Sequence, residues 1–102
     1  KTGAELPVAD FENSNWHMFH LVLPESVNRA IFMQQMLDQQ IGLGYHYRAI
    51  HLFSLYRERG FTDDMFPIAE RIGKQIITLP LFPTMNTEDV ERVVSAVKSC
   101  LL

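Results

Sequence analysis

The stretch "WHMFHLVL", Trp16 to Leu23, is apolar on both of the faces it would show as a strand. Alternation puts Trp16, Met18, His20 and Val22 on one side and His17, Phe19, Leu21 and Leu23 on the other. A strand apolar on both faces is covered on both. The rest of the chain therefore has to wrap this segment, and Pro24 marks where it ends.

The segments after Pro24 supply the cover. "SVNRAIFMQQMLDQQ" reads as a helix with Ser26 as N-cap and an apolar stripe of Val27, Ala30, Ile31, Met33 and Leu37. "IGLGYHY" reads as a short strand, with Ile41, Leu43, Tyr45 and Tyr47 on one face and Gly42, Gly44 and His46 on the other. Glycines inside a strand mark close approach of a ligand or another backbone. "HLFSLYRERG" predicts a short helix with Leu52, Leu55 and Tyr56 inward and Gly60 as its stop. "FTDDMFPIAERIGKQ" predicts another, with Pro67 in its first turn and Ile68, Ala69, Ile72 and Ile76 as its buried stripe. "IITLPLFP" is a brief strand closed by Pro80 and Pro83.

"NTEDVERVVSAVKSCLL" is the best-marked helix. Asn86 or Thr87 caps it, Glu88 and Asp89 sit where the helix dipole favours acid, and Val90, Val93, Val94, Val97 and Leu101 share a face. The order β-α-β-α-α-β-α predicts an α+β fold with a small sheet of about three strands packed with helices. Residues 1–15 form an irregular lead-in and residues 16–102 the domain proper. The chain opens without methionine and with no helix or strand pattern before Trp16, as a piece of a longer protein would.

A net charge of −3, with no run of Lys or Arg, argues against nucleic acid or an anionic membrane as the main partner. No apolar run reaches the roughly 20 residues of a membrane span, and no signal-peptide core opens the chain. One cysteine, Cys100, excludes an internal disulfide and points to a reducing compartment. A cytoplasmic location is the expectation.

Chemistry by motif is thin. His17 and His20 would point to opposite strand faces, and His46 and His51 have no Cys or carboxylate at ligand spacing, so no metal site is expected. Asp63–Asp64 and Glu88–Asp89 read as solvated residues at helix starts. No nucleophile elbow or phosphate-cradling glycine loop is present. The concentration of polar rings in "GLGYHYRAIHLF", Gly42 to Phe53, is the one feature a core does not need.

The order of "HMF", "GLGYHY…IH", "FPIAERI" and "IITLPLFP" with an amphipathic last helix resembles the C-terminal small domain of the DegT/DnrJ/EryC1/StrS aminotransferases. These are pyridoxal-phosphate enzymes of fold type I that mostly aminate keto groups on nucleotide-activated sugars. The resemblance runs from about Asn15 to Leu102. It implies that His46 and Tyr47 lie near the sugar end of the substrate, with His51 and His17 as weaker candidates behind them. Pro67, Ala69, Glu70 and Leu79 to Leu81 match positions that read as structural. Family members commonly carry "HYPPLH" or "HYIPLH"; here "HYRAIH" puts Arg48 and Ala49 where prolines are usual. Losing proline loosens the turn, and a guanidinium there could meet a phosphate or carboxylate, although a solvent-exposed Arg48 is the simpler reading.

The resemblance also implies what is missing. A pyridoxal enzyme needs a Schiff-base lysine and an acidic partner for the pyridine nitrogen. The three lysines, Lys1, Lys74 and Lys98, are terminal or on solvated helix faces. In the family the lysine and cofactor site belong to a large N-terminal domain absent from this sequence. The expectation is a domain of a homodimeric enzyme that uses pyridoxal 5′-phosphate, a sugar nucleotide and commonly glutamate, and that binds no cofactor and does no catalysis alone. The alternative is a non-catalytic small-molecule-binding or regulatory module.

Overall fold

The computed structural model describes residues 2–102. Its elements are β1 (Phe19–Val22), α1 (Arg29–Asp38), a 3-10 turn (Ile50–Leu52), α2 (Ser54–Arg57), α3 (Pro67–Gln75), β2 (Ile76–Leu79) and α4 (Thr87–Leu101). β1 and β2 form an antiparallel two-stranded sheet with Leu21 opposite Ile77 and Val22 opposite Ile76. On its helical side, Leu21 and Ile77 join Leu23, Phe32, Met36, Ile41, Val93, Ala96 and Val97 in one core. The α+β class holds, with two strands where three were expected.

The third strand fails for a local reason. Gly44 does meet β2, giving and taking backbone hydrogen bonds with Thr78 at 3.1 and 2.7 Å, but the pairing stops at that one residue. Extending the register one way sets Gly42 against Pro80, which has no N–H to donate. Extending it the other way sets His46 against Ile76. The Ile76 N–H already caps α3 at Ile72, and its carbonyl accepts from Arg29 Nη1 at 3.3 Å. On the opposite edge the lead-in makes a matching single bridge, Glu5 with Val22, and Arg71 Nη1 holds the Glu5 carboxylate at 2.7 Å.

Two helices turn other faces inward than their apolar patterns predict. α1 starts at an Asn28 cap, not Ser26, and buries Phe32 and Met36; of the expected stripe Val27 and Met33 pack against the core, while Ile31 and Leu37 stay exposed. α3 buries Glu70, Gly73 and Gln75, and leaves Ile68 71% exposed beside Met65 and Phe66. Its inward face is polar because its neighbours need donors and acceptors. Gln75 Nε2 donates to the carbonyls of Pro24 and Val27, closing the β1–α1 connection. α4 is closer to expectation, with an Asn86–Asp89 capping box and Val93 and Val97 buried; Val90 and Val94 lie at its exposed edge. Leu52 is buried as expected, whereas Leu55 is exposed.

No helix among the described residues is long and apolar enough to cross a membrane.

Candidate functional site

Where the third strand would have run, the chain instead makes a loop of polar rings held against β2 and α3. Gly44 begins it. A Cβ there would lie 2.7 Å from His46 Cε1, so the imidazole folds back over bare backbone. His46 Nδ1 then stands 2.9 Å from Thr78 Oγ1 on β2. The open space that the glycines suggest is thus filled at Gly44 by the chain's own ring. At Gly42 it remains open.

Tyr47 is joined to His46 by a cis peptide, its ring edge-on to the imidazole with centroids 4.8 Å apart. Tyr47 is 68% exposed while His46 is half-buried, so the pair offers one anchored imidazole and one free phenol. Arg48 is exposed, and its side chain makes no hydrogen bond or ion pair among the described residues. Ala49 is buried against α3.

The 3-10 turn then carries His51 inward. His51 Nε2 donates to Glu70 Oε1 at 2.7 Å, and both residues are about 5% exposed. Phe66 meets the His51 ring edge-on at 4.9 Å. The Glu70 carboxyl is held below the usual carboxylate range, first by the hydrogen bond from His51 and further by the backbone N–H groups of Asp64 and Phe66; burial opposes this.

His46 and Tyr47 are therefore neighbours, and His51 is joined to them through the loop but faces α3. His17 is exposed on the approach to β1, which β2 separates from Gly44; its backbone N–H is bound by Asn15 Oδ1. Sequence reasoning misses Thr78, Glu70 and Gly73 as parts of the site. Thr78 carries a usable signal, being the one hydroxyl in the apolar strand "IITL". Glu70 reads from sequence only as a structural helix residue, and nothing marks Gly73.

Among the described residues, which do not include Lys1, the surroundings of the two lysines do not fit pyridoxal phosphate. Lys74 lies on a broad groove of about 600 Å³ shared with Glu25, Arg29, Asp64, Glu70 and Arg71, and that groove has no aromatic ring to stack on a pyridine. Lys98 lies at the rim of an apolar cavity of about 310 Å³ beside Val94, Val97 and Leu79. The cavity's one ring is Phe19, and its lining has no carboxylate to pair with a pyridine nitrogen and no cation other than Lys98 itself.

The fold is that of aminotransferase structures. It resembles Spr1654 of Streptococcus pneumoniae, described as a candidate sugar aminotransferase and solved in apo, PMP and PLP forms. The TM-score is 0.85 at 22% identity, over 96% of this chain and 26% of that one. The aminotransferase TlmJ of Streptoalloteichus hindustanus gives 0.79 at 24% identity, over 97% and 26%. Helicobacter pylori PseC, an aminotransferase involved in the biosynthesis of pseudoaminic acid, gives 0.74 at 20% identity, over 83% and 23%. The chain spans about a quarter of the length of these proteins.

The sequence pattern of the DegT/DnrJ/EryC1/StrS aminotransferase family matches residues 2–98, and the chain belongs to that family. The family is pyridoxal-phosphate-dependent.

Proposed function

We propose that this chain is the C-terminal small domain of a sugar aminotransferase, and that it shapes the substrate side of a site whose cofactor is held elsewhere in the protein. The acceptor is a keto-sugar nucleotide and the amino donor is glutamate. The parent protein acts in the cytoplasm as a homodimer.

The observation that carries this reading is the presentation of His46 and Tyr47. One ring is fixed by Thr78 and Gly44, the other stands beside it in solvent, and a hydroxylated ring ligand is bound by such a combination of hydrogen bonding and stacking. In this role the two residues bind and orient the sugar and exchange no proton with the reacting carbon. Arg48, exposed next to them in the chain, is available to an anionic group of the nucleotide. The apolar outer face of α3, with Met65, Phe66 and Ile68, is the surface that a larger domain would cover.

The test is to measure the two half-reactions of the complete polypeptide separately. His46→Ala should weaken use of the sugar nucleotide about fivefold to tenfold, the weight of a hydrogen bond of roughly 1 kcal/mol. The half-reaction with glutamate should be unchanged. Loss confined to the glutamate half-reaction would sink the assignment.

A further inference from the structure

From Tyr45 to Arg48 the loop has no helical or sheet hydrogen bonding of its own, and Ala49 enters only as the cap of the 3-10 turn. Its shape must come from what it touches, and α3 lies directly against its backbone. A Cβ on Gly73 would lie 2.7 Å from Ala49 N, 3.3 Å from Arg48 C and 3.3 Å from Tyr47 O. Helix and loop are in backbone-to-backbone contact, closer than any side chain permits. One turn earlier on the same face, Glu70 accepts from His51 and pins the far end of the loop. At the near end Arg29 donates to Gly73 O at 2.8 Å, with its guanidinium 4.8 Å over the Tyr45 ring. The inverted burial of α3 thus has a purpose: its polar and bare face is a mould.

We infer that Glu70 and Gly73 are positioning residues for substrate binding, which fix the pose of His46 and Tyr47 by templating the loop on α3. The functional half of this rests on the reading of His46 and Tyr47 as sugar-facing; the templating half does not.

The test uses the complete polypeptide with Gly73→Ala, Glu70→Ala and Glu70→Gln, each read in two ways. The first reading is a crystal structure of the variant, scored on the His46 Nδ1 to Thr78 Oγ1 contact, 2.9 Å here. The second is KM for the sugar nucleotide against KM for the amino donor. Gly73→Ala should push the Tyr47–Ala49 backbone away, break that contact and raise the sugar KM about tenfold to a hundredfold, with the donor KM unchanged. Glu70→Ala should act in the same direction. Glu70→Gln, which keeps an acceptor for the His51 N–H, should restore both readings. If Glu70→Ala does not fold, Gly73→Ala carries the test alone. A loop that keeps its place in Gly73→Ala overturns the inference whatever the kinetics. A loop that moves without changing the sugar KM upholds the templating and overturns the sugar-facing reading instead.

Discussion

His51 Nε2 lies 2.7 Å from Glu70 Oε1, with each side chain about 6% exposed, and this contact joins the loop of polar rings to α3. Because His51 favours the charged carboxylate, the folded Glu70 stays ionised to lower pH than an unfolded one would. A lowered folded value adds stability that is complete above the unfolded value and is lost as pH falls through the folded one. The advantage of wild type over Glu70→Gln in thermal unfolding should be full near about pH 6 and shrink below about pH 4.3. An advantage that grows on acidification would show that another group controls the contact.

Thr78 and His46 should behave as a coupled pair. Thr78→Val keeps the shape and removes the hydroxyl at 2.9 Å from His46 Nδ1. Each single variant should weaken sugar binding, and the double variant should be little worse than His46→Ala alone. The double-mutant cycle should give a coupling of about 1 kcal/mol. Strict additivity would mean that the contact is not used.

The face that α1 buries can be read from four substitutions. Phe32→Ala and Met36→Ala remove side chains with almost no exposure and should cost about 3–5 and 2–5 kcal/mol in denaturant titration. Ile31→Ala and Leu37→Ala remove side chains 58% and 57% exposed and should cost less than about 1 kcal/mol. Equal costs in the two sets would return the helix to the face its apolar pattern suggests.

Arg29 should resist conservative exchange. Its guanidinium donates to Gly73 O and Ile76 O at once and covers Tyr45, a geometry that a lysine ammonium cannot copy. Arg29→Lys should cost about 1–2 kcal/mol in the same titration. A neutral exchange would assign α3's end to its other contacts.

Removing the α4 cap gives a simpler check. Asn86→Ala leaves the Asp89 N–H without its acceptor, Asn86 Oδ1, while the reciprocal bond from the residue-86 backbone N–H to Asp89 Oδ2 keeps its donor. The cost in the same titration should be about 1 kcal/mol.

The sequence is most legible where one signal suffices. α4 has its cap, its acidic first turn and its inward valines in a single run, and Pro67 and Gly60 punctuate where the structure does. It is least legible where burial is decided by polar partners. The Ile68–Ala69–Ile72–Ile76 stripe of α3 predicts an inward apolar face; Ile76 is buried, but the inward groups of the helix itself are Glu70, Gly73 and Gln75, chosen by His51, a backbone and two carbonyls distant in sequence. The same holds for the site. "GLGYHY" is visible as unusual, and His46 and Tyr47 stand together as a ring pair. That His46 covers Gly44 and bonds Thr78 depends on a register between segments more than 30 residues apart, which no local pattern carries.

The interrupted pairing beyond Gly44 also governs how the sheet meets other chains. An open strand edge invites a foreign strand to dock, which is the first step of runaway polymerisation. The outer edge of β2 gives such a strand nothing to start on. Pro80 has no donor, Thr78 is engaged by Gly44, and both polar groups of Ile76 are spent on α3 and Arg29. The groups that stop the third strand at a single bridge therefore also seal this edge against strand addition.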